Sequence, residues 1–169
     1  MKISSSNLSN KIRVVASPKK QQKCPEHHQQ FYNDYASTVS ATLKKPLFQK
    51  FLHWILKTEE ITKHDVTDIQ VRVFPLQKEN GNSLAGRCNH KGGVIHIFPK
   101  KHSYVKEKFE NNKKEKVRFY LKSRAMATLI HEILHFRYKG NEKKVRKLTK
   151  KYFSIFIHHK KSDFPHGHE

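Results

Sequence analysis

The sequence predicts an α+β domain, and three observations carry that prediction. Apolar residues recur at helical spacing over residues 46–57, alternate with polar ones in short runs over residues 69–98, and crowd nearly every side of a segment within residues 113–139. A chain of 169 residues supports one domain with its own core and leaves little room for a second. The apolar residues concentrate between about Leu47 and Ile157. The organisation expected is therefore a disordered basic tail over residues 1–30, one domain over residues 31–157, and a His- and Lys-rich tail over residues 158–169.

Residues 1–30 are rich in Ser, Lys, Gln and Asn, contain Pro18 and Pro25, and offer only the patch from Ile12 to Val15 for burial, so folding is expected to start near Phe31. Pro46 suits a first helical turn, and Leu47, Phe51, Trp54 and Ile55 continue it as an amphipathic helix. Ile69, Val71 and Val73 alternate with Gln70 and Arg72 before Pro75, the pattern of a half-buried strand. After a polar loop over residues 78–83, residues 86–99 read as two short strands joined through Lys91-Gly92-Gly93, which gives a small antiparallel sheet. A long helix is expected from about Lys113 to Lys139, with Gly140 as its left-handed cap. Asn141 then N-caps a last helix that turns Val145, Leu148, Tyr152 and Ile155 inward.

Lys and Arg number 35 against 14 acids, a formal charge of +21, which attracts polyanions and points to a nucleic acid or an acidic partner. General solubility would account for the same charge. Two cysteines, Cys24 and Cys88, are no disulfide framework and suit a reducing, cytoplasmic setting. The N-terminal residues lack the apolar run of a secretory signal, and no stretch approaches 18 apolar residues, so no membrane association is expected.

The chemistry rests on His131-Glu132-Ile133-Leu134-His135, an H-E-x-x-H pattern. Histidines four residues apart share one helical face and can hold one metal ion, and the Glu stands beside the water that the metal activates, as general base. With 13 His and 10 Glu, the pattern would arise by chance roughly 0.06 times in such a chain. Its context strengthens it, because no Lys or Arg occurs over residues 125–136 of a chain in which they are one residue in five. The plain alternative, two core histidines hydrogen-bonded to Glu132, would bury three ionisable groups together without a compensating ion, which is costly. Zinc is therefore the expected cofactor, with His131 and His135 as ligands and Glu132 as the catalytic base.

Two histidines need a third protein ligand, and Glu142 is the leading candidate, since a chain reversal after the long helix sets it at the start of the next one, facing inward. A first-turn Glu is also favoured by the helix dipole alone. His158, His159 and His96 are the rivals. Cys88 and His90 offer only two ligands on a turn, too few to argue a second metal site.

Gly86-x-Cys88-x-x-Lys91-Gly92, then Val94-Ile95-His96-Ile97, then His131-Glu132-x-x-His135 on a long helix together resemble the SprT-like and YgjP/WLM-like zincin metallopeptidases over roughly residues 69–156. The resemblance implies a zincin-like minimal metallopeptidase domain with its sheet lying over the metal helix. It also implies a zinc ion, and peptide substrates that pair with the sheet's edge strand, for which residues 94–98 are the expected element. Eukaryotic members act on proteins crosslinked to DNA, which suits the positive charge. The sequence departs from the pattern where those families commonly supply a third His and this chain has Gly140-Asn141-Glu142. Two further readings stand beside the zinc endopeptidase: an inactive zincin-fold module that binds nucleic acid, and a metal-dependent hydrolase of some other substrate.

Overall fold

A computed structural model describes residues 12–16, 26–78, 80–109 and 113–159. The elements in chain order are β1 (Arg13–Ala16), α1 (Glu26–Leu43), α2 (Pro46–Thr58), a single 3-10 turn (Lys63–Asp65), β2 (Asp68–Val71), β3 (Leu76–Gln77), β4 (Ser83–Leu84), β5 (Gly86–Asn89), β6 (Val94–Ile97), α3 (His102–Lys108), α4 (Lys114–Tyr138) and α5 (Glu142–His158). The class is α+β. None of these helices is long and apolar enough to cross a membrane.

The main sheet has four strands in the order β1-β2-β6-β5 and is mixed rather than antiparallel as expected. β5 and β6 form the expected antiparallel hairpin, with Gly86 opposite Ile97, but β2 runs parallel to both β6 and β1. A parallel neighbour needs a crossover through a distant segment, and neither period nor turn chemistry in the sequence records such a pairing. β3 and β4 make a separate two-stranded hairpin whose strands flank the polar loop expected over residues 78–83, with Ser83 alone of their residues inside it.

Two boundaries need correction. The supposed tail over residues 1–30 contributes β1 and the start of α1. Ile12 and Val14 are buried, and Arg13 binds both oxygens of Asp68 on the neighbouring strand at 2.7 Å. The disorder expected for the remainder of that tail, residues 1–11 and 17–25, lies outside the described residues. At the other end His158 is the last residue of α5 rather than the first of a tail, and residues 160–169 are outside the described part. The Arg13 guanidinium holds the Asp68 carboxyl below its ordinary range, chiefly by hydrogen bonding, with burial opposing it and the charge of Arg13 adding a smaller lowering. A carboxylate with a folded pKa below its unfolded value stabilises above the unfolded value and loses that contribution as pH falls through the folded one. The stability difference between the wild type and Asp68→Asn should therefore shrink as denaturant midpoints are measured from neutral pH down into the carboxylate range.

One face of the sheet carries the core. Ile69 and Val71 of β2 and Ile95 and Ile97 of β6 are fully buried, whereas Gln70 and His96 on the opposite face are half-buried. α1 packs beneath β1 and β2, α4 packs beneath β6 and β5, and the two helices touch. α5 lies along α4, and α2 reaches it through Phe48 and Phe51 on Phe156 and Trp54 on Tyr152. Just past the end of α2, the Glu59 carboxylate accepts hydrogen bonds from both Tyr138 and Tyr152, one hydroxyl from each arm of the α4–α5 hairpin. These bonds fix the hairpin that carries the candidate site.

α4 begins and ends within a residue of expectation, and Ala125, Leu129, Ile130, Ile133 and Leu134 are wholly buried. Its C-terminal reversal differs in one detail. The left-handed residue is Lys139, at φ 46°, and not Gly140, because the chain turns directly after Tyr138, the last helical residue. Asn141 caps α5 as expected, its side chain accepting from the Lys144 amide at 3.2 Å.

Candidate metal centre

The hairpin brings the first residue of α5 against the last turns of α4. His131 and His135 are one helical turn apart, with their Nε2 atoms 3.1 Å from each other. The Glu142 carboxylate offers Oε1 to His131 Nε2 at 3.3 Å and Oε2 to His135 Nε2 at 3.4 Å. His131, His135 and Glu142 are the one group among the described residues whose His, Cys, Asp or Glu donor atoms cluster closely enough to hold a metal ion.

The protons on these rings follow from their outer nitrogens. His135 Nδ1 lies 2.5 Å from the Lys139 carbonyl, which can only accept, so Nδ1 carries the proton and Nε2 of the neutral ring carries a lone pair. His131 Nδ1 lies 3.4 Å from Thr149 Oγ1. The Thr149 hydroxyl donates to the Val145 carbonyl at 2.8 Å, so it accepts from His131, whose Nε2 then also carries a lone pair. With both rings neutral in these tautomers, two imidazole lone pairs and a carboxylate face one point. An imidazolium would relieve this, but burial lowers the His131 pKa, the opposite of what a standing positive charge requires. A metal cation relieves it without that cost. Tetrahedral ligands about 2.0–2.1 Å from a zinc ion stand about 3.3 Å apart, and the three separations here, 3.1, 3.3 and 3.4 Å, match that edge. The donor set fits zinc.

Glu132 is buried and lies along the wall of a cleft of about 350 Å³ that also exposes His131 and Glu142. Burial raises its carboxyl to about 7, chiefly by desolvation. Gly86 of β5 sits directly above it. A Cβ at Gly86 would stand 2.6 Å from Thr128 Cγ2 and 2.8 Å from Glu132 Cγ, so glycine there lets the strand close over the Glu132 carboxylate. Gly86→Ala is expected to cost about 1–3 kcal/mol through overpacking. Thermal melting of the wild type and the variant side by side checks this.

The remaining sequence candidates lie elsewhere. His158 and His159 are at the far end of α5, bonded to the carbonyls of Ser154 and Ile155. His96 stacks on Phe98, on the sheet face turned away from α4. Cys88 and His90 are in contact at 3.8 Å without a third ligand. The edge strand beside the site is β5 and not residues 94–98, because β6 is enclosed between β2 and β5. Three contributors escaped the sequence reading: Arg146, whose Nε donates to Glu142 Oε1 at 2.8 Å; Thr149, which orients His131; and Lys78, which lines the cleft. Arg146 and Thr149 follow Glu142 at helical spacing, a signal usable once Glu142 is taken as a ligand, whereas Lys78 carries none. The Arg146 contact, followed by the two histidines, keeps the Glu142 carboxyl below its usual range. No family model, curated protein or solved structure matches the chain.

Proposed function

We propose that this protein is a zinc-dependent metalloendopeptidase of zincin type, with His131, His135 and Glu142 as ligands and Glu132 as general base. The observation that carries the reading is the convergence of two imidazole nitrogens and a carboxylate at tetrahedral spacing beside a buried carboxyl in an open cleft. Zinc, when bound, would lower the pKa of water and polarise a carbonyl. The residues of the chain divide the remaining work. Glu132 takes the proton of the attacking water and hands it to the leaving amine, a task suited to a carboxyl whose pKa burial has raised. Thr149 and the Lys139 carbonyl hold the two rings in the required tautomers, and Arg146 holds the Glu142 carboxylate in place. Gly86 and Cys88 are strand residues of β5, whose outer side has no sheet partner among the described residues, so an extended peptide has main-chain groups to pair with beside Glu132.

The test is hydrolysis of an unfolded protein by the purified chain, expected to stop on chelation and to return with zinc. Zinc-loaded protein that cleaves no unfolded protein or peptide would remove the peptidase reading. The module that binds nucleic acid without hydrolysis draws on a different observation, the exposed cations Lys143, Lys144, Arg146, Lys147, Lys150 and Lys151 of α5. Salt-dependent affinity for oligonucleotides with no zinc-dependent turnover would favour it.

A further inference from the structure

The cleft beside Glu132 carries a charge pattern that the ligand set and the base do not use. Lys78 enters it from the sheet side, at the turn between β3 and β4, where its amide donates to the Asn82 carbonyl at 2.8 Å and its own carbonyl accepts from the Gly81 amide at 2.9 Å. The backbone that aims this lysine is therefore pinned. Its ammonium makes no ion pair among the described residues, yet lies near enough for its charge to act on both His131 and Glu132. Arg146 enters from α5. One of its nitrogens is committed to Glu142, and the outer two have no hydrogen-bond partner among the described residues. Between them the walls are small or apolar, including Ala85, Gly86 and Ala127. Among the described residues the acids lining the cleft are Glu132 and Glu142, which the two cations offset, so with a bound divalent ion these lining side chains sum to a positive charge.

We infer that the cleft selects substrates carrying a carboxylate close to the scissile bond, held between the Lys78 ammonium and the free edge of the Arg146 guanidinium. This rests on the peptidase reading and names its substrate class. An ammonium on a pinned turn and a guanidinium with two unused donors are complementary to a carboxylate, whereas a Lys or Arg side chain in the same place would meet like charge on both sides. The overall charge of +21 adds attraction for acidic chains at longer range. The carboxylate has two sources, an Asp or Glu side chain or the C-terminus of the substrate.

Binding decides the matter without turnover. Zinc-loaded Glu132→Gln protein is titrated, by fluorescence anisotropy, with three peptides identical but for one group: an amidated peptide with Glu beside the cleavage position, the same peptide with Gln there, and the Gln peptide with a free C-terminus. One of the two carboxylate peptides is expected to bind about tenfold more tightly than the amidated Gln peptide, and which one does so identifies the source. The preference should shrink with added salt and collapse in Lys78→Glu, or in Lys78→Gln should the charge reversal misfold. Equal affinity for all three peptides, or a preference untouched by both Lys78 variants, overturns the inference. Neither result touches the peptidase reading, which is judged separately by chelator-sensitive cleavage of the Gln peptide by the wild type.

Discussion

Glu132→Gln is expected to retain its zinc and its fold while losing about a hundredfold to ten-thousandfold in turnover, the range that a positioned general base contributes. The substitution keeps the shape of the side chain, so Gly86 and β5 still close over it, and it leaves the three ligand atoms untouched. What disappears is the capacity to accept a proton. The amide also cannot take the charge that burial makes costly at this position, so stability should hold or rise slightly. Metal analysis, thermal melting and steady-state kinetics on one preparation check all three statements. Loss of zinc from this variant would make Glu132 part of the ligand set, and unchanged turnover would remove it from the chemistry.

Removing the metal is the second large effect expected. With both rings neutral, the donors turn two lone pairs and a carboxylate on one another when no cation is bound, and the α4–α5 hairpin lacks the cross-link that a metal would supply. At a hundredfold excess of zinc over its dissociation constant, linkage contributes about 2.7 kcal/mol, or about 5–10 °C of melting temperature for a domain of this size. Chelation should lower the melting temperature by that amount, and His131→Ala with His135→Ala should abolish the response. Glu142→Ala should weaken zinc as His135→Ala does, by more than the about 10–100-fold that an outer partner costs. A variant carrying His158→Ala and His159→Ala should bind zinc normally. If the histidine variant loses zinc and Glu142→Ala keeps it, the third ligand is misassigned.

How much of this was legible in the sequence depends on how local each signal is. The buried helix that carries His131 and His135 could be read because its evidence lies within twelve residues: two histidines at one-turn spacing in a run free of lysine and arginine. Glu142 could be read because Asn141 is a recognisable cap and a cap fixes where the next helix starts. α1 was missed although Tyr32, Tyr35, Ala36, Val39 and Leu43 recur at helical spacing, because Ser37, Thr38, Ser40 and Thr42, residues that favour caps and turns over helix interiors, stand between them. β1 was missed because a four-residue strand inside a polar tract leaves little pattern. The edge strand was misjudged for a more general reason. The hairpin of β5 and β6 is written in its turn, but the side on which β2 joins is decided by helices packed from elsewhere in the chain.

β1 has one further consequence, for anyone who trims the chain. Cutting at residue 31, where the composition changes, would strip β2 of its outer neighbour and leave a row of unpaired main-chain groups along Asp68–Val71. An uncovered strand of that kind recruits a copy of itself, so the shortened protein would tend to precipitate even though every residue of the metal site remained in place. Residues 12–16 therefore act partly as a guard on the sheet: Ile12 and Val14 seal its margin, and the pair of bonds from Arg13 to Asp68 keeps the seal in register.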